Sequence, residues 1–221
     1  MPLPPIFETV AAGDTIVPVW LNLSGGITAR LGSDRYLKWS PGASLAGEWQ
    51  RLRWAADFHP VPRILEQGID AAGDWFVTAA IDGASAVHSE PEVAARALGA
   101  GLRALHEDLP VDDCPFAWGT EQRGATTAPP PIDRLVVCHG DACVPNTLVG
   151  GDNRWVAHVD LGSLGVADRW ADLAVASWSL DANFGAGWQS AFFAAYGIEP
   201  DEDRLAYYRE LWNGPQVKMD S

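Results

Sequence analysis

The sequence predicts an α+β fold divided into two lobes. A small antiparallel-β lobe with one helix is expected at residues 1–82, and a larger, mainly helical lobe at residues 83–221. Over roughly the first eighty residues, short runs of β-branched and aromatic residues alternate with glycine-containing turns, a pattern typical of antiparallel strands. From Glu90 onward the apolar residues recur at helical spacing, and alanine and leucine become frequent.

The smaller lobe is predicted to hold five strands and one helix. Turn signals at residues 24–26 (SGG) and 32–34 (GSD) separate the first three strands. Apolar residues at Leu45, Trp49 and Leu52, three or four positions apart, indicate the helix. In chain order the predicted elements are the strands Thr15–Leu23, Ile27–Leu31 and Arg35–Trp39, the helix Leu45–Phe58, and the strands Arg63–Ile69 and Asp74–Ile81.

The larger lobe is predicted to begin with a long helix, Pro91–Asp108, because proline is favoured in a first turn and the segment is rich in alanine and leucine. A loop rich in proline and threonine follows at residues 112–133. Short strands are expected at both ends of Val136–Val149 and at Arg154–Leu161. Three further helices are expected at Asp168–Asp181, Gly187–Tyr196 and Asp201–Trp212.

The composition limits the possible partners. The chain carries 29 acidic and 15 basic residues, a formal net charge of −14. This field repels nucleic acid and anionic membranes and favours cationic ligands. No apolar run approaches the ~20 residues of a membrane-spanning helix, and the N-terminus lacks a secretory signal pattern. The three cysteines, Cys114, Cys138 and Cys143, lack metal-site spacing and are expected to be reduced and buried, which favours a cytoplasmic protein.

The stretch VVCHGDACVPNTLV, Val136–Val149, carries two polar residues on a turn between two apolar runs. Asp141 and Asn146 lie five positions apart, and Asp160 follows at the end of the next predicted strand. Each residue alone is more easily explained as a turn cap. Together they suit phosphoryl transfer, in which carboxylate and amide oxygens bind Mg²⁺ and a separate carboxylate accepts a hydroxyl proton.

Three segments carry a resemblance to a known family: HGDACVPNTLV, VAHVDLGSLGVADRWADLAVAS and the pattern YGI…RLAYYRELW near the end. They resemble the aminoglycoside phosphotransferases, especially the 3′-phosphotransferase group, and the similarity is densest over residues 135–212. The resemblance implies a protein-kinase-like fold, the use of ATP or GTP with Mg²⁺, and a small-molecule hydroxyl acceptor of cationic character.

The resemblance also implies a role for each matching residue. Asp141 would be the catalytic carboxylate that orients and deprotonates the acceptor, and Asn146 and Asp160 would hold Mg²⁺. Lys38 would contact the α- and β-phosphates of the nucleotide and pair with Glu48 of the following helix. Without the resemblance, Lys38 would be taken for a solvent-facing lysine on an alternating strand.

Two further nucleotide contacts are expected in the smaller lobe. The glycine turn with Ser24, Gly25 and Gly26 matches the family's phosphate-covering loop, although a Gly-Gly hairpin alone is usually only a hairpin. The adenine ring is expected to stack near residues 78–81, with Ala80 bonding to it through the backbone. His139 and Asp172 are expected to position the catalytic loop, the latter as a brace.

The residues that would bind the acceptor substrate depart from the family pattern. A proline-rich connection replaces the helical segment that the 3′-phosphotransferases carry before the catalytic loop. Ser163 and Trp178 occupy positions where the group commonly has arginine. The family's acidic C-terminal residues are replaced by Trp212, Asn213 and GPQVKMDS at residues 214–221.

The leading hypothesis is a Mg²⁺-dependent phosphotransferase that moves the γ-phosphate of ATP or GTP to an aminoglycoside hydroxyl of the 3′ type. One alternative is a kinase of a different small-molecule alcohol. Another is a degenerate kinase that binds nucleotide without transferring phosphate. A metal-dependent hydrolase using the carboxylates and His158 would need further ligands that the sequence does not offer.

Overall fold

A computed structural model describes residues 2–22, 24–42, 44–118 and 128–213, apart from the side chain of Asp70. Part of the predicted loop at residues 112–133, the last residue of the predicted strand Thr15–Leu23 and the tail at residues 214–221 therefore lie outside the described residues. The chain divides into two compact units. The first comprises Met1–Asp57 with Val61–Asp82, and the second Phe58–Pro60 with Gly83–Ser221.

The first unit is built on a five-stranded antiparallel sheet with the strand order β1-β2-β3-β5-β4. The five strands and the intervening helix correspond to the predicted elements, with ends that differ by at most three residues. The elements of this unit are α1 (Pro5–Ala11), β1 (Ile16–Leu21), β2 (Ile27–Leu31), β3 (Arg35–Ser40), α2 (Ala46–Ala55), β4 (Ile64–Asp70) and β5 (Gly73–Ala79).

Helix α1 is absent from the sequence-based prediction. It begins with a proline in its first turn, and its apolar residues Phe7, Val10 and Ala11 recur at helical spacing. These side chains are buried together with Leu31 and Leu37 of the sheet. Burial of this stripe against the sheet stabilises a helix of seven residues that would not form in isolation.

The second unit combines helices with two small antiparallel sheets, one of order β10-β7 and one of order β6-β8-β9. No helix in the described ranges is long and apolar enough to cross a membrane. The elements of this unit are β6 (Ala84–Ser85), α3 (Pro91–Asp108), β7 (Leu135–Cys138), β8 (Thr147–Val149), β9 (Trp155–His158), β10 (Gly165–Asp168), α4 (Trp170–Phe184), α5 (Gln189–Tyr196) and α6 (Glu202–Asn213).

Helices α3 and α4 form the centre of the second unit's core. Leu98 and Leu102 of α3 are fully buried, as are Leu173 and Leu180 of α4. Helix α3 passes so close to α5 that a Cβ atom at Gly99 would clash with backbone of α5. A glycine at this position therefore permits the close packing of these two helices.

The chain around Asp168 differs from the prediction. The sequence placed Asp168 at the start of a helix, but it is the last residue of β10, opposite Leu135 of β7. Helix α4 begins two residues later at Trp170, whose N–H donates to Asp168 Oδ1 at 3.2 Å. Asp168 therefore caps helix α4 although it belongs to a strand. The aspartate that indicated a helix start in the sequence is thus the residue that accepts the first N–H group of the helix.

Candidate active site

The catalytic turn, defined here as residues 139–146, connects β7 to β8. Gly140 has φ +81, and a Cβ atom there would run into the backbone of Ser163. A single turn of 3₁₀ helix, Val144–Asn146, leads into β8. Because β7 pairs with β10 and β8 pairs with β9, both ends of the turn are held by strand pairing. This fixed framework positions the Asp and Asn side chains of the motif.

Asp172, on the first turn of α4, holds the catalytic turn from the inside. Its carboxylate accepts the N–H groups of His139 (2.6 Å) and Gly140 (2.9 Å) and lies 3.0 Å from Nε2 of His106. Burial would raise the pKa of Asp172, but hydrogen bonding and charge interaction with His106 outweigh it, so the pKa is lowered. The side chain of Asp172 is 1% exposed, which makes it an internal brace.

His139 links the catalytic turn to the segment that precedes Asp160. Its Nε2 lies 3.0 Å from the carbonyl of Val159, and its Nδ1 lies 3.3 Å from the backbone nitrogen of Asp141. A carbonyl can only accept and an N–H can only donate, so the proton resides on Nε2 and Nδ1 is the acceptor. These two bonds fix the orientation of the ring and the backbone of Asp141.

Asn146 and Asp160 are brought together although they are far apart in sequence. The carbonyl of Asn146 accepts the N–H of Val159 at 3.0 Å, so the residue before Asp160 is bonded directly to Asn146. The Asn146 amide nitrogen donates to the Asp141 carbonyl at 3.0 Å, which leaves Oδ1 as the atom able to bind a cation. Asp160 is exposed and has φ +61, an uncommon backbone conformation for aspartate.

The donor set at the turn suits a magnesium ion. Asn146 contributes an amide oxygen and Asp160 a carboxylate, and hard divalent cations prefer such oxygen ligands. The unusual backbone conformation of Asp160 is the kind of strain that concentrates at functional sites. The residues present therefore fit the ion that the resemblance implies.

A group of buried histidines lies at β9 and is absent from the sequence-based prediction. His59 Nδ1 is 2.8 Å from Asp108, and its Nε2 is 3.1 Å from Nδ1 of His158. The His59 ring stacks on both His158 and Trp155. Burial lowers the pKa of His59 and His158, so both favour the neutral form. Because the partners lie up to 99 residues apart, no local pattern could reveal them.

The packing of His158 argues against the hydrolase alternative. A histidine that serves a hydrolytic metal site must reach the ion, yet His158 is 1% exposed and enclosed by aromatic rings. Its Nδ1 lies 3.1 Å from Nε2 of His59. The structure therefore gives His158 a packing role.

In the first unit, Lys38 of β3 contacts Glu48 of α2. Lys38 Nζ lies 2.9 Å from Oε1 and 2.7 Å from Oε2 of Glu48, so the ammonium bridges both carboxylate oxygens. The start of α2 is fixed by Asp74 of β5, whose Oδ2 accepts the N–H of Leu45 at 3.0 Å. The strand, the helix and the capping aspartate together hold the ion pair that the sequence led us to expect.

In the glycine turn between β1 and β2, the side chain of Asn22 bonds to the backbone N–H groups of the turn. Asn22 Oδ1 accepts the N–H of Ser24 at 3.0 Å and that of Gly26 at 2.7 Å. Gly25 has φ +84, and its N–H donates to the Asn22 carbonyl. The amide groups that were expected to meet phosphate oxygens are therefore already bonded to Asn22, and a nucleotide would have to replace this side chain.

The backbone at Ala80 is also engaged. Its N–H donates to the Asp34 carbonyl at 2.7 Å, directly after the end of β5. An adenine ring in this place would therefore bond to a group other than the Ala80 amide, or would displace Asp34.

Two of the acceptor-side departures, Ser163 and Trp178, lie in segments that contact the catalytic turn. Ser163 packs its backbone against Gly140, as described above. Trp178 of α4 is 40% exposed, whereas Ser177 and Ser179 on either side of it are buried. The hydroxyl of Ser179 accepts the N–H of Val144 at 3.0 Å, which connects α4 directly to the turn.

Comparison with known sequences identifies relatives over nearly the whole chain. Residues 125–208 match the model of the family described as "Phosphotransferase enzyme family". An aminoglycoside 3′-phosphotransferase of Streptomyces fradiae is 35% identical over 93% of this chain and 93% of its own length. A streptomycin 3″-kinase of Streptomyces griseus is 32% identical over 87% of this chain and 90% of its own.

Solved structures agree with the sequence relatives. The crystal structure of a type VIII aminoglycoside 3′-phosphotransferase has a TM-score of 0.76 and 29% identity, covering 90% of this chain and 93% of the other. The aminoglycoside phosphotransferase APH(3″)-Id of Streptomyces rimosus, solved with ADP and streptomycin, has a TM-score of 0.75 and 28% identity, covering 93% and 96%. The predicted α+β, protein-kinase-like fold is thus confirmed, and the chain belongs to the aminoglycoside phosphotransferase family, as a phosphotransferase that acts on hydroxyl groups.

Proposed function

We propose that the protein is a Mg²⁺-dependent kinase that transfers the γ-phosphate of ATP or GTP to a 3′-type hydroxyl of an aminoglycoside. The observation that carries the proposal is the braced catalytic turn. It presents Asp141 and bonds Asn146 to the residue that precedes Asp160. The relatives named as aminoglycoside 3′-phosphotransferases and the solved complex with ADP and streptomycin support this choice of substrates.

In the proposed mechanism, Asp141 accepts the proton of the acceptor hydroxyl. The hydroxyl oxygen forms a bond to the γ-phosphorus, and the bond from that phosphorus to the leaving oxygen of the nucleoside diphosphate breaks. Asp172 holds the backbone of His139 and Gly140, and His139 accepts the N–H of Asp141, so the carboxylate is oriented before the acceptor binds. The protein therefore contributes to catalysis mainly by positioning the reacting groups and by supplying charge.

The remaining residues of the proposal bind the nucleotide and its metal. Asn146 Oδ1 and the Asp160 carboxylate would hold Mg²⁺, which would supply positive charge that offsets the charge of the phosphates. Lys38, oriented by Glu48, contacts the α- and β-phosphates. Lys38 belongs to the first unit, and Asp141, Asn146 and Asp160 belong to the second.

The charge of the chain supports a cationic acceptor and a cytoplasmic location. A net charge of −14 attracts an aminoglycoside, which carries several ammonium groups. None of the three cysteines forms a disulfide, which suits the reducing cytoplasm in which ATP is available.

The proposal is tested by incubating the enzyme with Mg²⁺, ATP or GTP and a panel of kanamycin-type aminoglycosides and streptomycin, followed by mass spectrometry. We expect an acceptor to gain the mass of one phosphate. Asp141→Asn should lower turnover at least about a thousandfold while nucleotide affinity stays within about threefold, because Asp141 acts on the acceptor. Equal turnover by this variant would remove Asp141 as the base.

One observation favours a second candidate, a kinase of another small-molecule alcohol. The alignment with the Streptomyces fradiae enzyme extends over 254 positions, more than the 221 residues of this chain, so that relative contains residues for which this chain has no counterpart. Phosphorylation of a different alcohol in the same assay, with every aminoglycoside unchanged, would favour this candidate. Nucleotide binding by calorimetry without any transfer would instead indicate a degenerate kinase.

A further inference from the structure

The thiol of Cys143 lies against the carboxylate that the proposed mechanism uses as its base. Cys143 Sγ is 3.0 Å from Oδ1 of Asp141. Because the carboxylate has no proton to donate, the S–H group is the donor in this contact.

Helix α4 holds the backbone next to Cys143. The hydroxyl oxygen of Ser179 accepts the N–H of Val144 at 3.0 Å and the Asn183 side-chain amide at 3.3 Å. Val144 is the residue next to Cys143, so α4 is tied to the backbone beside the thiol. Helix α4 thus supports the segment from which Cys143 contacts Asp141.

We infer that Cys143 is a positioning residue for phosphoryl transfer, whose thiol fixes the rotation of the Asp141 carboxylate by donating to Oδ1. Among the described residues, no donor is bonded to Oδ2 of Asp141, so this oxygen is the one that accepts the proton of the acceptor hydroxyl. The inference rests on the proposed function, because it depends on Asp141 being the base.

The contacts of the Cys143 backbone can be separated from those of its side chain. The Cys143 N–H donates to the Asp141 carbonyl at 2.7 Å, and the Cys143 carbonyl accepts the N–H of Asn146 at 3.0 Å. Both bonds persist whatever side chain occupies the position. A change that removes only the thiol therefore tests the hydrogen bond to the carboxylate and leaves the shape of the turn in place.

The kinetic test compares Cys143→Ala with Cys143→Ser. Without a donor, the Asp141 carboxylate samples unproductive rotations, so we expect Cys143→Ala to lower kcat about tenfold while KM for the nucleotide stays within about twofold. Serine keeps a donor, and Cys143→Ser should retain at least about half of the wild-type kcat. Cys114→Ala serves as the matched control, because the Cys114 thiol bonds to the carbonyl of Phe116 outside the turn.

Two kinetic results would overturn the inference. The first is a wild-type kcat in Cys143→Ala. The second is equal loss in the alanine and serine variants, which would show that packing of the sulfur matters and the donor does not. Either result in an active wild-type enzyme leaves the proposed function intact, whereas a wild-type enzyme that phosphorylates no acceptor overturns the proposed function itself.

An infrared measurement tests the hydrogen bond from the Cys143 thiol to Asp141 directly. It requires neither catalytic activity nor a folded Cys143→Ala variant. The S–H stretching band of Cys143 is assigned by its loss in Cys143→Ser. Donation to a carboxylate lowers its frequency, and Asp141→Asn replaces the carboxylate with a weaker acceptor. We therefore expect this band to move to higher frequency in Asp141→Asn, with the bands of the other two cysteines unchanged. A Cys143 band that does not move would overturn the inference.

Discussion

A half-buried lysine on a β-strand needs an anionic neighbour, and Glu48 provides one for Lys38 at 2.7 Å. If this ion pair presents the ammonium to phosphate, Lys38→Met should raise KM for the nucleotide about tenfold or more, with KM for the acceptor nearly unchanged. Glu48→Gln should change the nucleotide KM in the same direction but less, because the lysine loses its orientation and keeps its charge. Steady-state kinetics with each substrate varied in turn provides the measurement.

Arg96→Met is a suitable control for this prediction. Arg96 lies on α3 in an exposed ion pair with Glu92, so its loss removes a positive charge and leaves Lys38 and Glu48 unchanged. If Lys38→Met and Arg96→Met changed the nucleotide KM equally, Lys38 would be a structural lysine with no part in phosphate binding.

At the residue scale, the site residues that could be predicted are those that lie in or next to one contiguous sequence motif. Asp141 and Asn146 could be selected from one short turn, and Asp160 from the end of the following strand. The contact between His59 and Asp108 could not, since it joins residues 49 positions apart. The bonds from Asn22 to the glycine turn were equally hidden, because an asparagine before a Gly-Gly hairpin gives no indication of where its side chain turns.

At the scale of the catalytic turn, the backbone itself is under constraint at Gly140. Alanine there would have to adopt φ +81 and place its Cβ atom against the Ser163 backbone. Backbone atoms cannot rotate out of the way as the end of a flexible side chain can. We expect Gly140→Ala to lower the free energy of unfolding by about 2–4 kcal/mol and kcat at least a hundredfold. Urea denaturation and the transfer assay measure the two effects.

The matched control for the turn is Gly151→Ala. A Cβ atom at Gly151 meets no atom within 4 Å, so this variant changes the same residue type without a clash. Similar stability losses at both positions would show that the close approach at Gly140 has no energetic consequence.

The brace between α4 and the catalytic turn predicts a pH-dependent stability. Asparagine at Asp172 would turn an N–H₂ group toward the N–H donors of the turn, so Asp172→Asn should lower the free energy of unfolding by about 3 kcal/mol at neutral pH. The pKa of Asp172 is lower in the folded protein than in the unfolded chain. Its stabilising contribution is therefore complete above the ordinary aspartate pKa of about 4 and is lost as the pH falls through the lowered folded pKa.

Urea titrations at several pH values test this brace. The difference in unfolding free energy between wild type and Asp172→Asn should shrink as the pH falls below about 4. Asp113→Asn, which changes an exposed aspartate, should behave like wild type at every pH. A constant difference down to the lowest pH would show that the charge of Asp172 is not what holds the turn.

Among the helices and strands, the sequence predicted those with strong periodicity and missed several short ones, including α1 and β10. Helix α3 has the predicted bounds, Pro91–Asp108, because its pattern extends over 18 residues. Helix α1 and strand β10 have seven and four residues, respectively, and depend on tertiary burial and on pairing with β7. Local propensity is too weak over such lengths to reveal them.

For the whole molecule, the composition sets the electrostatic field that ligands meet. A net charge of −14 arises from 29 acidic and 15 basic residues. Such a field attracts a polycation and repels the anionic nucleotide, and salt screens both effects, with a Debye length of about 10 Å at 0.1 M ionic strength. The acceptor and the nucleotide should therefore respond to salt in opposite directions.

We expect kcat/KM for a polycationic aminoglycoside to fall several-fold as the ionic strength rises from about 0.02 M to about 0.3 M, because screening weakens the attraction. Over the same range, kcat/KM for the nucleotide should stay constant or rise. An uncharged alcohol accepted by the enzyme would serve as an internal control and should show no fall. If the cationic acceptor proved insensitive to salt, its recognition would depend on contacts within the site, and the negative field of the whole chain would have no part in acceptor selection.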